Sequence, residues 1–232
     1  MGSEDFFQRT ELLLGSAAVR ALARTRVLLV GTGGVGSWCA EALVRTGVGH
    51  LVLVDADRVC PSNVNRQLMA TSATLGEPKV EVLARRLREI SPAAAVTAVA
   101  GVYSADTAAS FKLEEYDYVI DAIDSVADKA HLIRHALATP SVTFYSSMGA
   151  ARKLDPFRIR TSEFWKVQGD GLARALRNRF RKSGEFPARK FTCVWSDEPP
   201  RAESGTVMHV TAAFGLALAS LVVRDVCAKT AR

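Results

Sequence analysis

Four cysteines, Cys39, Cys60, Cys193 and Cys227, are scattered through 232 residues, and no two follow the Cys-x-x-Cys spacing. That absence argues against a zinc knuckle and against a disulfide framework, so the thiols are expected to be reduced. Histidine is as scarce, with four residues. His131 and His135 share a helix face at i, i+4 but have no further ligand in view, which argues against a metal site. Internal repeats and low-complexity tracts are missing as well. Residues 1–5 lack the basic flank and apolar core of a secretory signal, and residue 6 is Phe where a myristoylation motif wants Ser or Thr, so a cytoplasmic location is expected. One long apolar stretch, 206–226, is interrupted by His209, Thr211 and Ser220 and ended by Arg224-Asp225. Against the roughly 20 apolar residues a bilayer requires, it reads as a buried or dimer-interface helix, with no membrane association expected.

What is present is an ordinary folding composition, 48% hydrophobic and 23% charged, which supports a sizeable core. The formal charge of +6 is compatible with RNA but does not require it. One domain is expected over 1–232, with a nucleotide-binding core at 1–150 and a substrate- or dimer-facing extension at 151–232. Apolar periodicity predicts helices over 11–23, 37–46, 79–90 and 128–138, alternating with strands over 27–30, 50–54, 96–102, 116–123 and 141–145. This rhythm is that of an α/β, Rossmann-like, doubly wound, mostly parallel sheet. Beyond residue 150 it breaks into an irregular extension: a short strand near 157–159, a basic helix at 171–182, a strand at 191–195, a polar loop at 197–205 expected to be mobile, and an apolar terminal helix.

The glycine turn Gly31-x-Gly33-Gly34-x-Gly36 follows an apolar strand and opens a helix. Such a turn lets backbone approach a phosphate, and the helix N-terminus supplies unsatisfied N–H groups to the anion. Asp55 stands at the end of the second strand, about 20 residues on, where a carboxylate holds ribose hydroxyls. Read alone, these features suggest a dinucleotide. The polar cluster Asp57, Asn63, Asn65, Arg66, Gln67 and Lys79 points instead to a nucleoside triphosphate, with Arg66 and Lys79 neutralising phosphates and the amides orienting oxygens. Asp121 and Asp124, at the end of the fourth strand, are both candidates for nucleotide contacts and for Mg²⁺.

Together, Arg9 to Gly15, Gly31 to Gly36, Asp55-x-Asp57, Ser62 to Gln67, Gly76 to Glu81 and Asp121 to Asp124 resemble the adenylating superfamily of ubiquitin-activating-type enzymes. The resemblance implies that the glycine loop and Asp55 bind ATP, that Asn63, Asn65, Arg66, Gln67 and Lys79 contact its phosphates, and that Asp124 holds Mg²⁺. It also implies a homodimer in which Arg9 reaches the ATP site of the other subunit. Carrier-activating members usually carry two Cys-x-x-Cys pairs, which are missing here. The chain is more similar to the tRNA threonylcarbamoyladenosine dehydratase branch, on Asp121 to Val126, Ser146 to Ala150, Lys153 to Pro156 and Trp195 to Pro199, although the region after Trp195 is short.

The implied reaction is adenylation of a carboxylate on tRNA followed by cyclisation. Arg174, Arg177, Arg181 and Lys182 on the basic helix are candidates for tRNA phosphates. Cys193 is the best thiol candidate for a thioester, although a small buried hydrophobe is the favoured reading of that position. Three alternatives stay open: an activator of a ubiquitin-like or sulfur-carrier protein, a non-catalytic nucleotide-binding regulator of a sulfur-transfer partner such as a cysteine-desulfurase system, and an NAD-dependent oxidoreductase.

Overall fold

Seven strands form one sheet in the order β3-β2-β1-β4-β5-β7-β6 in a computed structural model that describes residues 6–231. The strands are β1 (Arg26–Val30), β2 (His50–Val54), β3 (Ala95–Val99), β4 (Tyr118–Asp121), β5 (Thr143–Ser147), β6 (Ile159–Glu163) and β7 (Thr192–Ser196). All neighbours pair in parallel except β6 and β7, which are antiparallel at one edge. The order reverses between β1 and β4, and a crevice opens there beyond the carboxyl ends of the strands.

The helices are α1 (Gln8–Leu14), α2 (Ser16–Arg24), α3 (Gly36–Thr46), α4 (Lys79–Ile90), α5 (Val126–Ala138), α6 (Gly171–Ser183) and α7 (Met208–Thr230). Their apolar faces divide the core between the two sides of the sheet. On one side Leu43, Leu83, Phe214 and Leu218 pack with the strand residues Val27, Leu29 and Leu53; on the other Leu132, Ile133, Leu176 and Phe180 pack with Leu28 and Val119. Because β1 and β4 are covered on both faces, they read as continuous apolar runs rather than alternating ones.

α7 is long and apolar enough to cross a membrane, yet Val210, Phe214, Leu218 and Val222 are fully buried in the core. Its fit against α3 depends on Gly215, where an added Cβ would lie 2.3 Å from the Val35 carbonyl oxygen. Small residues on this helix therefore serve close packing within the fold.

Several boundaries depart from the periodicity. The helix expected over 11–23 is two helices, because Gly15 adopts φ +83° between them, and α1 buries none of its residues. β3 stops at Val99 and leaves Val102 exposed. The strand expected near 157–159 is a 3₁₀ turn, Pro156–Arg158, capped by the Asp155 carboxylate, and the strand begins after it. The loop at 197–205 is tethered rather than free. The Glu198 carboxylate accepts the N–H groups of Leu154 and Asp155, and the buried Lys153 ammonium donates to the carbonyls of Ser196 and Glu198. Across the same gap the Arg201 N–H donates to the Arg152 carbonyl, and the Arg152 guanidinium donates to the Arg201 carbonyl.

Candidate active site

The crevice is a cavity of about 530 Å³ lined by the glycine turn, the 55–67 segment, Lys79, the 122–125 loop and residues 147–151. That size suits a nucleotide-sized ligand. The turn's shape is fixed by two close approaches. An added Cβ at Gly31, which has φ +91°, would lie 2.6 Å from the Ala122 carbonyl oxygen, and one at Gly36 would lie 1.8 Å from the Gly31 carbonyl oxygen. Gly33 has open space on its cavity side, with only the Gln67 amide within 4 Å of such a Cβ. No side chain caps α3, whose first turn follows this loop; the Ser37 N–H donates to the Gly33 carbonyl, while the positive end of the helix dipole faces the turn and favours an anion there.

Asp55 stabilises the turn from the neighbouring strand. One carboxylate oxygen accepts the Thr32 N–H at 2.7 Å and its hydroxyl at 3.0 Å, and the other accepts the Asp57 N–H at 2.9 Å. A carboxylate has further lone pairs after these bonds, so the same group can both hold the loop and accept a ribose hydroxyl. Lys79, buried at the start of α4, reaches back to the exposed Asp57 carboxylate at 2.7 Å. The Arg66 guanidinium donates to the Ser62 carbonyl and the Asn65 side chain, and its own carbonyl accepts the Trp38 indole N–H. Asn63 and Gln67 are both buried at the cavity. The Gln67 amide oxygen is buried with no partner among the described residues, unused hydrogen-bonding capacity of the kind expected at a ligand site.

A wall that sets two cations beside side-chain amides and a helix N-terminus is suited to the phosphates of a nucleotide. Comparison with known sequences bears on which nucleotide enzymes share it: the ThiF family model matches residues 7–229. The chain belongs to the ThiF family. Among its relatives, the tRNA threonylcarbamoyladenosine dehydratase of Bacillus subtilis is 40% identical, covering 84% of this chain and 75% of that protein. The crystal structure of the Escherichia coli tRNA N6-threonylcarbamoyladenosine dehydratase in complex with ATP superposes with a TM-score of 0.92 at 37% identity, covering 99% of this chain and 96% of that one. The molybdopterin-synthase adenylyltransferase of Escherichia coli is also 40% identical, but over 48% of this chain and 45% of that protein.

Within this ThiF-family site, several expected residues have other work. Asp121 is fully buried and does not line the cavity, which removes it as a nucleotide or metal ligand. Its carboxylate pairs with the equally buried Lys129 ammonium at 2.8 Å and accepts the Ser146 hydroxyl at 2.7 Å and the Ile123 N–H at 3.0 Å. Lys129 in turn donates to the Ile123 carbonyl at 2.9 Å. The pair thus grips both main-chain groups of Ile123 and fixes the loop that presents Asp124, which is exposed on the cavity rim. Asn65 lies outside the cavity lining and donates its amide to the Thr206 carbonyl at 2.9 Å, tying the end of the 197–206 segment to the cluster at 63–67.

Cys193 is not a nucleophile. It lies fully buried on β7 with its Sγ 3.6 Å from the Ser162 carbonyl, and burial pushes its thiol up to about 12. Arg9 is exposed on α1 and does not line this chain's own cavity. On α6, Arg174, Arg181 and Lys182 are exposed, but Arg177 is committed to structure: its guanidinium donates to the carbonyls of Phe164 and Val167 and lies 5.7 Å over the Phe164 ring.

Besides Asp128, which lines the rim four residues after Asp124, three residues of the site were not read from the sequence. Tyr103 lines the cavity from the turn after β3, its hydroxyl 2.7 Å from His135 Nδ1 and 3.4 Å from His131 Nδ1; the i, i+4 histidines thus hold a tyrosine, and burial pushes the phenol above its ordinary range. Thr211 reaches the cavity from the first turn of α7. Asp170 is a buried N-cap of α6 that accepts the N–H groups of Ala173 and Gly149, fixing the cavity rim at Gly149. Of these, only Asp170 had a local signal, an aspartate directly before a helical run.

Proposed function

We infer that the chain is an ATP-dependent dehydratase that adenylates the carboxylate of threonylcarbamoyladenosine in tRNA and so drives its cyclisation. The observation that carries this reading is the extent of the match. Sequence similarity to the Escherichia coli tRNA threonylcarbamoyladenosine dehydratase runs through the C-terminal extension to 97% of the chain, whereas sequence similarity to the molybdopterin-synthase adenylyltransferase covers about half. A carrier activator would also be expected to bring Cys-x-x-Cys pairs, and the sequence contains none.

In the first step a carboxylate oxygen of the substrate attacks the α-phosphorus of ATP, the bond to the bridging oxygen of pyrophosphate breaks, and an acyl-adenylate forms. In the second, a nucleophile of the same modified base attacks the activated carbonyl carbon and AMP leaves with the former carboxylate oxygen, closing the ring. The glycine turn and the α3 N-terminus hold phosphate oxygens, Arg66 and Lys79 offset the charge that develops on the departing pyrophosphate, and Asp55 anchors the ribose. No cysteine is among the residues lining the cavity, which fits ring closure without a thioester.

Mg²⁺ belongs to the same reading. Asp124, with Asp128 four residues on, offers hard oxygen ligands at the rim, and among the described residues no cluster of three or more His, Cys, Asp or Glu is assembled to cage an ion. One or two carboxylates suit a magnesium ion that arrives with the phosphates, where it would neutralise charge. The enzyme is read as a homodimer in the cytoplasm, with Arg9 of a second copy completing the ATP site. In support, α1 leaves Leu12 and Leu13 largely exposed in the single chain, an apolar surface that a second copy would cover. The reading requires no sulfur-transfer partner.

The test is to incubate purified chain with ATP, Mg²⁺ and tRNA bearing threonylcarbamoyladenosine. The nucleoside should lose one water by mass spectrometry while AMP and pyrophosphate appear. Unchanged tRNA together with adenylation of a small Gly-Gly-ended protein would reject this function in favour of carrier activation.

A further inference from the structure

All of the net charge of +6 sits in one short stretch of the chain. Residues 165–190 contain eight Lys and Arg against two Asp and Glu, whereas the remainder contains 22 of each sign and is neutral. Neither acid in the stretch is free: Asp170 is the buried cap of α6, and Glu185 pairs with Arg134. Two of the cations, Arg177 and Arg189, are spent on main-chain carbonyls. Lys166, Arg174, Arg179, Arg181, Lys182 and Lys190 are exposed and pair with no carboxylate among the described residues.

Charge alone specifies no ligand, but this face also leaves two large rings in water. Trp165 is 37% exposed and Phe186 53% exposed, with ring centroids 6.2 Å apart. Trp165 is held in place by Phe164 at 5.1 Å and Phe180 at 6.4 Å. Arg174, Arg177 and Arg181 share one side of α6, and because Arg177 sits over Phe164, that side is the one beside Trp165. The helix starts at the cavity rim, where Leu172 lines the crevice, and from Arg174 to Arg181 it rises about 10 Å at roughly 1.5 Å per residue. Cavity rim, unpaired cations and exposed rings therefore lie along one path.

We propose that this face is a track for single-stranded RNA, with phosphates on Arg174, Arg181 and Lys182 and an unpaired base stacked on the Trp165 and Phe186 pair. Basic side chains that follow a backbone, interleaved with rings that take any base, are what unpaired nucleotides require. An acidic peptide would satisfy the charges but would leave the rings uncovered. The inference rests on the reading of tRNA as substrate and names where its unpaired loop lies.

Binding of a fluorescein-labelled anticodon stem-loop RNA tests it by anisotropy. Trp165→Ala should weaken binding by roughly tenfold, the scale of one stacking interaction, while Trp165→Phe retains most of the affinity. RNA should quench the tryptophan emission of the wild type, and that quench should disappear in Trp165→Phe. The double variant Arg174→Glu with Arg181→Glu should flatten the slope of log Kd against log salt by about 0.7 for each phosphate no longer neutralised. ATP affinity should stay the same throughout. Phe186→Ala, at a half-exposed ring, repeats the test if Trp165→Ala fails to fold. Wild-type RNA affinity in both alanine variants would overturn the proposal, as would a loss of self-association or of acidic-peptide binding with RNA affinity intact. A wild type that binds no tRNA at all would instead remove the dehydratase reading beneath it.

Discussion

The pair of Asp121 and Lys129 offers a sharp test of how the Asp124 loop is held. Both side chains have no solvent exposure, so replacing one leaves the other as a buried, uncompensated charge. Breaking such a pair costs about 3–5 kcal/mol, whereas replacing both partners by neutral groups is often close to neutral. For a chain of this length, each kcal/mol moves the melting temperature by roughly 2–4 °C. Lys129→Met should therefore lower Tm by about 6–20 °C, and Asp121→Asn should do the same, with its amide oxygen still able to accept from Ser146. The double variant Asp121→Asn with Lys129→Met should recover most of the loss, giving a coupling energy of a few kcal/mol in a double-mutant cycle. Its activity should not recover in step, because the grip of Lys129 on the Ile123 carbonyl is gone and Asp124 is no longer presented in one position. The assay is differential scanning calorimetry beside ATP–pyrophosphate exchange at saturating tRNA. Additive losses in the double variant would refute the buried-pair argument. Wild-type exchange in a stable double variant would refute the positioning argument alone.

Other outcomes follow from the same structure. Lys79→Met should leave Tm within a few degrees, since its Asp57 partner is solvated, yet lower kcat/KM for adenylation by about 10²–10³, comparable with removing one charge-stabilising group from a transition state; an effect under about threefold would show that the lysine stays with Asp57 during turnover. Gly36→Ala, with its Cβ 1.8 Å from the Gly31 carbonyl oxygen, must displace the turn and should abolish measurable ATP binding in calorimetric titration, whereas retained micromolar affinity would contradict the geometry. Cys193→Ala should keep activity within about twofold, since the thiol does not line the cavity, with a modest loss of Tm from the small cavity left in the core. In native protein at about pH 8, below the ordinary thiol range, iodoacetamide should label the exposed Cys60 and spare Cys39 and Cys193, because burial raises both thiols far above that pH; peptide mass spectrometry reads the pattern, and rapid labelling of Cys193 would show that β7 opens.

Much of the site was legible because its chemistry is local. The glycine turn declares itself because only glycine fits where Gly31 meets the Ala122 carbonyl and Gly36 meets the Gly31 carbonyl, and Lys79 opens a helix whose limits of Lys79–Ile90 match the periodicity. β2 was likewise readable to the residue, since its ends are set by Gly49 and by the polar turn after Val54. Roles were harder to read than positions. Asp121 and Asp124 are chemically identical and close in the chain, and nothing local says that the first points into the core toward Lys129 while the second points to the cavity. Arg177 and Arg181 pose the same problem on α6: only the packing of the Phe164 segment decides which one is consumed by carbonyls.

By itself, then, the order of residues determined the alternation of strands and helices and the glycine turn between β1 and α3, because each depends on backbone propensity or on neighbours a few residues away, and motif spacing marked out Asp55, Arg66 and Lys79. The tertiary structure decided which carboxylates and guanidiniums remain free. A charged side chain buried in a protein must find a partner, and that partner comes from wherever the fold brings one. Asp121 finds Lys129 on the next helix and Ser146 on the next strand, and the Asn65 amide finds the Thr206 carbonyl 141 residues along the chain.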